Sequence, residues 1–270
     1  MRQPSLAPRQ YPNGNWAGAL SVLRHELKRD MRLWQANLMG PPLQALLLAM
    51  VFLLAGADRF TGAAFEAAQG GVIGFVAPGI LSVAISARCF ESMAFALLFD
   101  KMERIIENLL GSPISALEIV TAYAGYSMLV ALLTLVTVHP FLMLMGAPFP
   151  ANPLGLLAAV ALGGFAVGMG GMLTGLTSDK WDQMQAKDTF VLTPLVYLSG
   201  GFFALSAVPE GMRLAVQLNP LFHLTDLLRW GVTGQAAGDP ALSFVIITVI
   251  GLGFAALGWH AFRTGWRLKA

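Results

Sequence analysis

Long apolar runs alternate with short polar breaks along most of the chain. Six of them, over residues 38–57, 71–90, 119–145, 154–176, 189–208 and 241–262, are each long enough to cross a hydrocarbon core of ~30 Å at about 1.5 Å per residue. The pattern predicts an all-α, polytopic membrane protein with six transmembrane helices occupying residues 37–262. Ahead of the first run, Trp16, Leu20, Leu23, Leu27, Met31 and Trp34 recur every three or four positions, with Arg24, His25, Lys28, Arg29 and Arg32 between them. This is a basic amphipathic helix over residues 16–36, tryptophan at both ends, suited to lying in the headgroup layer. Residues 1–15 are polar, proline-bearing and aperiodic, and read as a flexible tail; residues 263–270 read as a short basic one.

Two shorter apolar patterns lie between 204 and 235, and neither is long enough to span. They predict re-entrant or interfacial helices, the second opening at Asn219 and Pro220 with Leu221, Leu224 and Leu228 on one face. His223, Asp226 and Arg229 fall three apart on that second helix, which predicts a charge-paired surface, with a substrate contact as the sharper alternative. Pro78 and Gly79 predict a kink in the second span, and His139 with Pro140 a break near the end of the third. Residues 177–188 read as a loop. Gly164 with Gly168, and Gly171 with Gly175, are small-xxx-small pairs that let another helix approach closely.

The break between the second and third runs differs from the others. In DKMERIIENLLGSPISALE, residues 100–118, Met102, Ile105, Ile106, Leu109 and Leu110 follow helical spacing, while Asp100, Glu103, Arg104, Glu107 and Asn108 repeat the same offsets on the opposite face. Gly111 stands where a left-handed cap is wanted, Pro113 stops the helix, and Ser115 with Glu118 forms a capping box for the next. Residues 100–113 are thus expected to form one charged amphipathic helix, either an ordinary solvated surface or a docking face.

Charge places these pieces. With 56% hydrophobic and 12% charged residues among 270, the main solvent is lipid. An even number of spans puts both termini on one side. That side then carries fourteen Lys and Arg, against three on the other, Arg59, Arg213 and Arg229. The positive-inside rule makes the termini and residues 100–118 cytoplasmic. Arg88 falls ~26 Å along the second span from Gly71, near the inner headgroups, and one turn from Glu91. The two are expected to pair at the membrane rim, with an ion or proton relay as the alternative.

Several chemistries are absent from the pattern. A net charge of +2 without a basic stripe argues against nucleic acid, and the single Cys89 excludes an internal disulfide. No G-x-x-x-x-G-K-[ST] occurs, and His25-Glu26 begins an H-E-x-x-H pattern that fails at Arg29. No serine or cysteine nucleophile has an evident base, and the first 37 residues lack the core of a cleavable signal. A polytopic chain with neither a nucleotide motif nor buried carboxylates along its spans is a pore, a scaffold, or a transport unit driven by a separate engine.

The residues KMERIIENLLGSPISALEIV, 101–120, and TPLVYLSGGFFALSAVPEGMRLAVQLNPLFHLTDLLRWG, 193–231, occur in the order and spacing of two family signatures. The chain resembles the membrane subunit of ABC-2 type exporters, in the branch of the daunorubicin-exporter and nodulation lipo-oligosaccharide permeases. The resemblance implies a homodimer of this chain with two copies of a separate ABC ATPase, which would hold the ATP and magnesium, so that this chain binds no cofactor of its own and is not itself an enzyme. It implies that Met102, Glu103, Arg104, Ile106, Glu107, Leu110, Gly111, Ser112 and Pro113 dock on the ATPase. Tyr197, Phe202 and Phe203, with Met184, are candidates for the translocation path of a drug, lipid or glycolipid. An ion-coupled exporter using Arg88 and Glu91 is the alternative.

Overall fold

The computed structural model describes residues 14–55 and 71–266, apart from the side chains of Leu110 and Ser206. The predicted tails lie largely outside these residues. Among the described residues every regular element is helical.

Helix α1, Trp16–Arg32, is capped by Asn15, whose side chain accepts from the Gly18 N–H at 2.9 Å. A π-helical turn, Gln35–Met39, carries the chain into α2, Gly40–Leu54. Then come α3, Gly71–Met102; a short α4, Ile105–Gly111; α5, Ala116–Leu144; and α6, Pro153–Leu176. Helix α7, Trp181–Lys187, passes through a second π-helical turn, Asp188–Leu192, into α8, Thr193–Tyr197. Two short helices, α9, Glu210–Gln217, and α10, Pro220–Thr233, precede α11, Pro240–Thr264.

Five of the described helices are long and apolar enough to cross a membrane: Gln35–Leu54, α3, α5, α6 and α11. Helices α3 and α6 form the centre of the bundle, and α2 and α11, with only 22% of their apolar windows buried, form its periphery. The small residues of α6 are what allow this centre. A Cβ on Gly171 would stand 2.4 Å from the Phe90 carbonyl oxygen, and one on Gly175 2.6 Å from that of Ala94, so α6 lies backbone to backbone on α3. Gly164 and Gly168 admit α5 in the same way, where Ser127 Oγ donates to the Gly164 carbonyl at 2.6 Å. The small-xxx-small pairs are therefore consumed within the chain.

Three expectations change. The run 189–208 is not one spanning helix. Helical structure begins earlier, at Trp181, so most of the expected 177–188 loop is helical, and it ends at Tyr197. The apolar composition continues, but Gly200 takes φ 73° and Gly201 sits against the backbone of Gly79, so the chain unwinds there. A Cβ on Gly79 would stand 2.4 Å from the Gly201 oxygen, a contact only glycine permits. The second span does not stop near Phe90: α3 continues through Pro78, Arg88 and Glu91 to Met102. Helix α5 likewise passes His139 and Pro140 and ends at Leu144, since a proline so near the terminus removes one ladder bond without ending the helix. The two short helices expected between 204 and 235 are present as α9 and α10.

Candidate coupling surface and its buried anchors

The expected single helix over 100–113 is two pieces. Helix α3 runs through Met102, Glu103 and Arg104 form a turn, and α4 begins at Ile105. Arg104 adopts φ 57°, the left-handed conformation, at a cost of order 1 kcal/mol for a residue with a Cβ. Gly111 does not: it is the last residue of α4, and the chain leaves through Ser112 in extended conformation. Met102, Glu103, Arg104, Ile105, Glu107, Gly111 and Pro113 are exposed, while Ile106 is buried and Ser112 half-buried. Ser112 Oγ donates to the Leu109 carbonyl at 2.5 Å. An exposed turn and helix with both charged and apolar side chains is thus pinned by Ile106 beneath.

Asp100 and Lys101 do not share that solvated face. Asp100 is 3% exposed and accepts from Arg29 Nη1 at 2.6 Å and from the Tyr123 hydroxyl at 3.0 Å. Lys101, 2% exposed, puts Nζ 2.5 Å from Asp179 Oδ1 and donates to the Ser178 carbonyl at 3.2 Å. The far end of the segment is held as firmly. Ser115 N–H donates to Glu118 Oε2 at 2.7 Å and Glu118 N–H to Ser115 Oγ at 3.3 Å, the expected capping box. Glu118 also accepts from the Asn15 N–H, and Asn15 Nδ2 donates to the Pro113 carbonyl at 3.2 Å. Asn15 and Arg29, ~21 Å apart along α1, therefore clasp the segment at both ends.

Helix α1 turns differently from its basic stripe. Its inward face carries Ala19 and two carboxylates, Glu26 and Asp30, buried to 2% and 8% exposure. Arg29 pairs with Glu26 as well as Asp100 and lies over the Phe99 ring. Trp16, Leu20 and Trp34 remain outside, about half exposed, on the flank available to lipid. Arg88 does not pair with Glu91. It pairs with Asp30, and donates through Nη1 to Ser92 Oγ and through Nε to the Asn37 carbonyl; Glu91 is exposed. A carboxylate fixed opposite by Asn37 Nδ2 at 2.9 Å displaces a same-helix partner that has no second anchor. The signal that could have found this is Glu26 and Asp30 one turn apart amid a basic stripe.

Burial pushes the Glu26 carboxyl from an ordinary 4.5 up to about 8, the attraction of Arg29 offsetting part of the cost. The native state then holds this proton in a pH range where the unfolded chain has released it, so its stabilising contribution is full below about 4.5 and is lost as pH rises through about 8. Glu26→Gln is expected to melt close to wild type at acidic pH and a few degrees higher at mildly alkaline pH, about 1 kcal/mol, read by thermal melting of the purified protein. A variant that melts lower at alkaline pH would show instead that the Arg29 ion pair dominates.

Elsewhere, Phe202 stacks on Phe52 of α2 at 5.5 Å between ring centroids, with Tyr197 6.3 Å away and exposed; Phe203 and Met184 are half-buried. His223, Asp226 and Arg229 do not form a charge-paired surface. Asp226 is buried and accepts from the Ala237 and Gly238 N–H groups, the His223 ring contacts Ser243 Oγ and the Gln217 carbonyl, and Arg229 donates to the Gly200 carbonyl. Backbone groups left over by the break at 198–204 and the turn after α10 take up these side chains.

A bundle with five helices long and apolar enough to span, a break in helical structure after Tyr197 and an anchored segment between two of those helices defines a polytopic all-α membrane protein. The chain belongs to the ABC-2 type transporter family, whose profile matches residues 21–233. It is similar to the inner membrane transport permease YadH of Escherichia coli K12, 24% identical over 94% of this chain and 98% of that one. It is also similar to nodulation protein J of Rhizobium leguminosarum bv. viciae, 24% identical over 65% of this chain and 68% of that one, and to that of Sinorhizobium fredii, 26% identical over 63% and 65%. Family membership makes this chain the multi-pass inner-membrane subunit of an ABC transporter and implies an ATP-binding partner subunit.

Proposed function

We propose that this chain, as a homodimer with two ATPase subunits, exports an amphipathic drug, lipid or glycolipid from the cytoplasm or inner leaflet, and that both its termini are cytoplasmic. ATP and magnesium are held by the partner, which docks on residues 102–113. The observation that carries this reading is the exposed face of Met102, Glu103, Arg104, Ile105 and Glu107, clamped at both ends by Asp100 and Glu118 through α1. A surface so held transmits displacement instead of absorbing it. Helix α3 continues from it for ~35 Å to Gly79, whose backbone touches Gly201 at the break after α8. A push on the segment thus reaches the re-entrant region and the neighbouring Tyr197, Phe202 and Phe52 rings by one rigid helix. An ion-coupled carrier built on Arg88 and Glu91 is less well supported, because Arg88 is engaged by Asp30, Ser92 and Asn37.

Reversing charge in the triple variant Glu103→Lys, Arg104→Glu, Glu107→Lys is expected to leave membrane yield unchanged and to lower ATPase co-purification by about tenfold or more, with transport falling to background. Normal transport by that variant would overturn the docking assignment.

A further inference from the structure

At the end of the bundle away from residues 102–113, about 40 Å along α3, a cavity of ≈ 480 Å³ opens between the start of α3, residues 204–205, α9 and the end of α10. Arg213, Gln217, Arg229, Thr233 and Gln235 supply its polar wall, and Phe75 with Leu205 its apolar one. Among the described residues lining it none is acidic. Arg229 donates through Nη2 to the Gly200 carbonyl at 2.8 Å and lies 4.8 Å over the Phe75 ring, yet its buried Nε has no hydrogen-bond partner. A charged donor left so is costly, and it points to an acceptor that none of the described residues provides. Arg213, anchored by Nε on the Val208 carbonyl at 2.9 Å, brings a second guanidinium to the same cavity. The neighbouring carboxylate, Asp226, is engaged by the amides of Ala237 and Gly238.

We propose that this cavity binds the phosphate group of an amphiphile, a mono- or diester held between Arg213 and Arg229, with its apolar part against Phe75 and Leu205. Two arginines lining one cavity with two carboxamides and a hydroxyl match phosphate oxygens, which take paired N–H donors from planar guanidinium groups. The assignment deepens the export reading by naming a head group at the side remote from the ATPase, and it rests on that reading only for the direction of travel.

The full chain, purified in maltoside detergent, is titrated calorimetrically with hexyl phosphate, inorganic phosphate and hexyltrimethylammonium. Saturable binding of hexyl phosphate is expected, with inorganic phosphate about tenfold or more weaker and the cation not binding. Arg213→Gln and Arg229→Gln should each weaken hexyl phosphate by about tenfold or more. Because Arg229 also holds the Gly200 carbonyl, Arg213→Gln decides the matter if Arg229→Gln melts early. Absent binding, or binding unchanged in Arg213→Gln, overturns the site. Inorganic phosphate binding as tightly as hexyl phosphate overturns its assignment to an amphiphile. The charge-reversed triple variant at 103, 104 and 107 should bind hexyl phosphate as wild type does, so the head-group site and the coupling surface fail separately.

Discussion

Asp100→Ala is expected to cost the protein about 3 kcal/mol. Removing one member of a buried ion pair typically costs ~3–5 kcal/mol, and the lower end applies because Arg29 keeps its hydrogen bond to Glu26. The Tyr123 hydroxyl, in a side chain only 1% exposed, loses its acceptor at the same time. Thermal melting of the purified permease measures the loss. Combining Asp100→Ala with Arg29→Met and Tyr123→Phe should recover much of it, because no charge or hydroxyl is then stranded, while coupling to the ATPase should not return. A loss below about 1 kcal/mol for Asp100→Ala alone would mean that α1 does not hold the segment.

Gly171→Val should be comparably damaging, by a different route. Its Cβ would enter to 2.4 Å from the Phe90 carbonyl, and backbone cannot rotate away as a side chain can. Helices α3 and α6, the centre of the bundle, must separate, with an overpacking cost of ~1–3 kcal/mol or more. Gly253→Ala is the matched control. It lies on α11 with nothing within 4 Å of the added Cβ, and should gain up to about 1 kcal/mol from helix propensity. Poor membrane yield and a lowered melting temperature for Gly171→Val, beside normal behaviour for Gly253→Ala, are the expected pair of results. Equal behaviour of the two would remove α6 on α3 as the organising contact.

What could be read from the chain alone was whatever depends on period and local chemistry. The Ser115 and Glu118 capping box, the short helices at 210–217 and 220–233, and most of the spanning helices follow from such patterns. Residues whose partners are distant in sequence fall outside what such patterns predict. Asp100 fits the charged stripe of an amphipathic helix, and only the position of Arg29, 71 residues earlier, turns it inward. Arg88 has Glu91 as its neighbour in sequence, whereas Asp30, 58 residues away, is the better-anchored carboxylate. The unwinding at Gly200 and Gly201 depends on the approach of Gly79, which hydropathy does not register. The left-handed residue near the segment is Arg104 and not Gly111, because the turn forms where α3 ends, before the glycine is reached.

The double clasp of Asn15 and Arg29 has one more effect. In the proposed docking, since α1 holds residues 102–113 at both ends and carries Trp16 and Leu20 on its free flank, the docked face has no height of its own above the bilayer. The headgroup layer becomes the fixed datum from which the partner's stroke is measured, and the lipid surface takes the part that a bearing plays beneath a lever.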